Sequence, residues 1–80
     1  MVDYHEFAKW LCESVGLGER STKDVISRLR RVKKFVDYEK HRGLRSTLYA
    51  LEGNEDFKNL SVFVRSQLKR ALTLYYNFKG

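Results

Sequence analysis

Proline is absent from the 80 residues, cysteine and tryptophan occur once each, and histidine occurs twice. Without proline, no helix interior meets a ring that removes a backbone donor. The lone Cys12 has no partner for an intrachain disulfide, and His5 and His41 lie too far apart in sequence to complete a closed zinc site with it. No metal or cofactor is expected. No apolar run reaches the roughly 18 residues that a membrane-spanning helix needs, and no charged-then-apolar leader opens the chain. The expected location is therefore the cytoplasm, with no membrane partner. Repeats and low-complexity stretches are also missing. A chain this short buries about 60–65% of its unfolded surface, enough for one domain over residues 1–80 but not for a deep enclosed pocket.

What the chain has is positive charge, unevenly placed. Sixteen Lys and Arg against ten Asp and Glu leave a net charge of +6. Residues 1–19 carry Lys9 against four acids, whereas residues 20–45 carry ten basic side chains against Asp24, Asp37 and Glu39. Residues 46–60 are mildly acidic, and residues 61–80 hold four cations and no acid. Two separate cationic segments suit a polyanionic partner, either nucleic acid or an anionic surface. A basic face that serves only solubility has the same composition.

The apolar spacing predicts four helices. Tyr4, Phe7, Ala8, Leu11 and Val15 form one stripe of a helix from about Asp3 to Val15, ended by Gly16 and Gly18. Ser21, with Asp24 three residues on, reads as the cap of a second helix reaching about His41. Its core stripe is Val25, Leu29, Val32 and Val36, with Thr22 and Phe35 alongside. Gly43 interrupts the pattern before a shorter helix from about Leu44 to Glu52. Gly53 and Asn54 read as a turn, and Phe57 and Leu60 are expected to pack the loop that follows. Ser61 then caps a last helix whose core side holds Val64, Leu68, Leu72 or Ala71, Tyr75 and Phe78. Strand alternation is nowhere sustained, so the fold class is all-α, a single four-helix domain.

On the second helix, 100° per residue places Lys23, Ser27, Arg30, Lys34 and His41 within about 60° of one another, opposite the core stripe. Arg31 and Tyr38 lie along the edge of this row, which would run roughly 27 Å. No acid falls between Asp24 and Asp37, so like charges stack at a cost that phosphates would relieve. The outer face of the last helix holds Arg65, Ser66, Lys69, Arg70, Thr73, Tyr76 and Asn77. Such cations, hydroxyls and amides can meet phosphates and base edges in a major groove. Lys40, Arg42 and Arg45 make a third cluster at the helix junction.

Other motifs carry less. Ser66-Gln67-Leu68-Lys69 spells the S-x-x-K of serine acylating enzymes, but that chemistry needs a larger fold to supply the base and oxyanion hole. Gly16-Leu17-Gly18 lacks the third glycine and the preceding strand of a nucleotide-binding turn. Cys12 has no evident base beside it, and the two histidines read as surface residues. Trp10 is expected to cover the edge of the core. No catalytic constellation results.

Phe7 with Trp10-Leu11, then Gly16-Leu17-Gly18-Glu19-Arg20-Ser21-Thr22, then Val25, Leu29, Val32 and Phe35-Val36 resemble a known pattern. It is similar to the SAM-like, N-terminal core-binding domain of tyrosine recombinases and phage integrases. The closing run from Ser66 through Tyr75-Tyr76-Asn77-Phe78 looks like the last helix of that domain. Residues 43–56 depart from its usual third helix. The resemblance implies a helical domain that straddles duplex DNA opposite a separate catalytic domain. That catalytic domain is not in these 80 residues, so Tyr75 and Tyr76 do not inherit a nucleophile's role.

The sequence thus leads us to expect a non-catalytic domain that binds double-stranded DNA and self-associates on it, bound at the nucleoid and belonging to a longer integrase-like protein or standing alone. Lys23, Arg30, Arg31, Lys34, Arg65, Lys69 and Arg70 are the expected phosphate contacts, and Ser27, Ser66, Thr73 and Asn77 the expected readers of base edges. The alternative is a protein-interaction or dimerisation module using Trp10, Phe63, Leu74 and Tyr76 as an apolar patch.

Overall fold

Three- and four-residue apolar spacing becomes helix along most of the chain. The computed structural model describes residues 4–41 and 43–79, and no strand occurs among them. Asp3, the expected first residue of the opening helix, and Arg42 of the junction cluster lie outside the described residues. The elements are α1 (Tyr4–Trp10), continued by a π-helical turn (Leu11–Val15), then α2 (Glu19–Val32), α3 (Leu44–Glu52), the single turn α4 (Glu55–Lys58) and α5 (Val62–Lys79). Four are substantial helices, as the apolar spacing predicts, in an all-α globule measuring 35 × 26 × 20 Å.

Two boundaries differ from expectation at the front of the chain. The π turn widens the first helix after Leu11, and Gly16 closes it at φ 84°, a left-handed angle that glycine adopts without strain. The Gly16 and Leu17 amides both reach the Leu11 carbonyl. This rotates Val15 out of the stripe to 37% exposure, and Leu17 packs against the core in its place. Farther on, α2 starts at Glu19, because the Thr22 amide already bonds the Gly18 carbonyl at 2.9 Å. Ser21 therefore sits inside the first turn rather than capping it.

The larger correction is the length of α2. The second helix stops at Val32, not near His41. Val36 and Tyr38 are both buried, yet on a continuing helix they would stand about 200° apart, one facing solvent. Burying both requires the chain to leave the helix. The backbone groups this releases find partners from distant parts of the sequence, as buried polar groups must. Asn54 Nδ2 donates to the Phe35 carbonyl at 3.2 Å, and the Tyr76 hydroxyl donates to the Tyr38 carbonyl at 2.8 Å. Thr47 Oγ1 lies 2.6 Å from that same Tyr76 hydroxyl and 2.9 Å from the Gly43 carbonyl, so its single proton has two acceptors within reach.

Side-chain caps fix the starts of the last two helices. Asn54 Oδ1 accepts from the Phe57 amide at 3.1 Å and opens α4, turning the expected loop into one helical turn over the buried Phe57. Ser61 Oγ accepts from the Val64 amide at 3.2 Å, as its position before α5 predicts. Leu29 and Leu68 are fully buried at the centres of the two long stripes. α2 and α5 pack on each other, with α1 against both and α3 against α5. One end of this core is aromatic: Phe7 meets Trp10, Tyr75 and Phe78, and Tyr38 meets Tyr75 edge-on at 5.0 Å. Trp10 is half-buried there, covering the core edge as expected.

Candidate nucleic-acid interface

Burying Val25, Leu29 and Val32 fixes what α2 turns outward. Lys23, Ser27, Arg30 and Arg31 are all exposed on the opposite side, along a helix of roughly 20 Å. Lys34, expected on the same row, stands exposed in the turn after the helix, and His41 is half-buried on the irregular segment with Nδ1 3.2 Å from Ser46 Oγ. Tyr38, expected at the edge of the row, is in the core, its hydroxyl 2.7 Å from that of Tyr4. Burial first, and this bond second, push the Tyr38 phenol well above the usual range; burial pushes Tyr75 the same way. The start at Glu19 adds a cation that the sequence reading missed. Arg20 is exposed on the first turn of α2, about one helical face with Ser27 and Arg31. Placing the cap at Ser21 hid it.

Electrostatic partners separate arginines from lysines. Five ion pairs occur among the described residues: Lys23–Glu19 (3.4 Å), Lys33–Glu39, Lys40–Asp37 (3.9 Å), Lys58–Glu55 (3.5 Å) and Lys69–Glu52 (3.1 Å). Lysine supplies the cation every time, and no described arginine has a carboxylate within ion-pair distance. The Glu39 hydrogen bond raises the Lys33 pKa. Arg30 instead lies over the Tyr4 ring, 5.1 Å from its centroid, which steadies the guanidinium while leaving its donors available.

The last helix divides its expected face in two. Ser66, Arg70 and Asn77 are exposed, and Thr73 is half-exposed with its hydroxyl donated to the Lys69 carbonyl at 2.9 Å. Arg65 and Lys69 turn instead toward α3 and α4, where they line a groove of about 510 Å³ with Glu52, Phe57, Lys58, Val62 and Ser66. Arg65 Nε is buried there without an acceptor. Tyr76 is half-buried in the hydrogen bonds described above, not outward. At the helix junction, Lys40 is tied to Asp37 and Arg45 is exposed.

Of the apolar patch Trp10, Phe63, Leu74 and Tyr76, Phe63 alone is exposed, at 71%. Val62 and Tyr49 join it as large exposed apolar side chains that the spacing did not single out. Among the described residues no group of three or more His, Cys, Asp and Glu could hold a metal ion. No helix there is long and apolar enough to cross a membrane. Cys12 is exposed, its thiol 3.3 Å from the Thr22 hydroxyl. No protein-family model, no curated protein and no solved structure matches the chain.

Proposed function

We propose that this chain is a non-catalytic helical domain that grips duplex DNA, with the outward face of α2 as its main contact. The observation that carries the reading is the exposed arginine set on α2, Arg20, Arg30 and Arg31, with no carboxylate in ion-pair reach. Guanidinium groups bind phosphate oxygens in pairs, and a solubilising helix face ordinarily pairs its cations with acids one turn away. Lys23 and Ser27 complete this face, and Lys34 extends it beyond the helix end. Ser66, Arg70, Thr73 and Asn77 on α5 form a second, smaller contact. The resemblance to tyrosine-recombinase core-binding domains supports the same partner, held by a domain that straddles the duplex, and self-association on the DNA is a further part of the proposal.

A fluorescence titration of labelled duplex at two salt concentrations tests this. Non-specific binding of order 10⁻⁴–10⁻⁶ M at physiological salt, falling steeply as salt rises, is expected. A folded sample that fails to bind duplex at about 50 mM salt, where the electrostatic attraction is strong, rules it out. The second reading, a protein-interaction module, rests on the exposure of Phe63 and Val62. It predicts a concentration-dependent mass without DNA.

A further inference from the structure

A second surface, away from the α2 face, combines apolar floor, exposed ring and cations, of which Arg45 and Arg65 have no carboxylate partner among the described residues. The groove between α4 and α5 shares Glu52 as a wall with a neighbouring groove of about 430 Å³ lined by Leu44, Arg45, Leu48 and Tyr49 of α3. Arg45, Tyr49 and Glu52 fall on one side of α3, while Arg65 and Lys69 stand one turn apart on α5. Tyr49 is 84% exposed, and the structure gives its ring and hydroxyl no role in the fold. Four cations, Arg45, Lys58, Arg65 and Lys69, line the two grooves; Glu52 is the one carboxylate among the lining residues, and Lys58 is paired with Glu55 beside them at 3.5 Å. The Glu52 carboxylate holds Lys69 at 3.1 Å, whereas Arg65 has no carboxylate and a buried Nε with no acceptor.

We infer that these joined grooves bind single-stranded nucleic acid, with a base stacked on Tyr49 and the strand's phosphates held by Arg45, Arg65 and Lys69. A duplex hides the faces of its bases, so an exposed tyrosine beside cations has nothing to stack on there. A single strand offers both, and an aromatic platform within a cationic track is how such strands are held without sequence preference. Charge complementarity selects a polyanion over a second copy of this basic chain. The inference goes beyond the duplex reading and does not depend on it, because its ring and cations lie off the α2 face that carries that reading; Ser66 alone borders both surfaces.

The test is fluorescence anisotropy of a short labelled oligothymidylate and of a labelled duplex, each titrated with the full chain at low salt. Tyr49→Ala should weaken oligothymidylate binding about fivefold or more, as the loss of one stacked base requires, and leave duplex binding within about twofold. Tyr49→Phe should bind like the parent, because the ring carries the contact. Glu52→Gln should tighten strand binding several-fold by releasing Lys69 and removing the carboxylate shared by the two grooves, a gain that damage to the fold cannot imitate. Arg30→Gln with Arg31→Gln should weaken the duplex complex and spare the single-stranded one. No oligothymidylate binding at low salt overturns the inference, as does an unchanged affinity in both Tyr49→Ala and Glu52→Gln. So does a Tyr49→Ala variant that loses a concentration-dependent dimer but keeps strand binding, which assigns the surface to self-association.

Discussion

On α2, Arg20, Arg30 and Arg31 project from the core with no carboxylate in reach, whereas on α5 the Lys69 ammonium is held by Glu52 and Thr73 has donated its hydroxyl to the backbone. Both helices bury a leucine-centred stripe and both carry cations opposite or beside it. The difference lies in what packs alongside. α3 and α4 dock beside the first half of α5 and bring Glu52 to Lys69, while α2 has only its own Glu19 and Asp24 near its cations. The arginines of α2 are therefore free to meet phosphate, with only Lys23 paired, to Glu19 of its own helix, while α5 has Lys69 committed to a neighbouring helix.

The core tests whether the two helices share one hydrophobic unit. Leu29→Ala and Leu68→Ala should each cost about 2–5 kcal/mol, because both leucines are fully buried and a cavity adds to the lost transfer energy. Denaturant melts should show both variants unfolding cooperatively at lower midpoints. If only one moves the midpoint, the helices do not belong to a common core.

These stripes were legible in the sequence because spacing within one helix reports its own buried side. The helix ends were less so. Nothing near Val32 announces a stop; the helix ends because Tyr38 is drawn into the core and because Asn54 and Tyr76 satisfy the carbonyls of Phe35 and Tyr38. Those partners lie far along the chain, beyond any local window. The π turn likewise exchanges Val15 for Leu17 in the packing, a swap that the apolar stripe of a regular helix does not report. The same limit applied to the candidate site. The α2 face was readable from helical phase, while the diversion of Arg65 and Lys69 into a groove depended on where α3 and α4 dock.

The hydrogen bonds that end α2 give the next largest effect. Tyr76→Phe removes the hydroxyl that serves the Tyr38 carbonyl and contacts Thr47. Leaving such groups unsatisfied should cost about 1–3 kcal/mol. Asn77→Ala, the next residue on α5 but exposed, should stay within about 0.5 kcal/mol. Equal melts for the two would show that the irregular segment is held by packing alone.

Alkaline pH probes the aromatic end of the core. Tyr38 and Tyr75 have raised pKa values in the folded protein, mainly through burial, so the folded state keeps protons that the unfolded state releases near pH 10. Stability is therefore fully present below about pH 10 and falls above it, by at most about 1.4 kcal/mol per pH unit for each such group. Melting temperatures between about pH 9 and 11 should drop accordingly. In Tyr38→Phe the starting stability is lower, since the bond to Tyr4 is gone, but the decline with pH is shallower. An unchanged slope in that variant would assign the alkaline loss to other groups.

The smallest effect on stability belongs to the substitution that separates charge from fold. Arg30 and Arg31 are exposed, and neither has an ion pair to lose; Arg30 does give up its place over Tyr4. That cation–ring attraction is worth about 0.5–1 kcal/mol at an exposed site, and relief of repulsion among neighbouring cations returns a few tenths. Changing both to glutamine should lower the melting temperature by a few degrees at most, since each kcal/mol corresponds to about 4–8 °C in a domain of this size. Duplex binding should weaken clearly, with the log–log salt slope smaller by about two, one unit for each phosphate that is no longer neutralised. The matched change on α5, Lys69→Gln, removes a cation already held by Glu52 and should reduce the slope by less than one unit. If Lys69→Gln costs as much slope per charge as the α2 pair, the ion pair with Glu52 opens on DNA and the two helices grip alike. If the α2 pair changes nothing, its arginines are a solvated face, and the contrast between the helices has no part in binding.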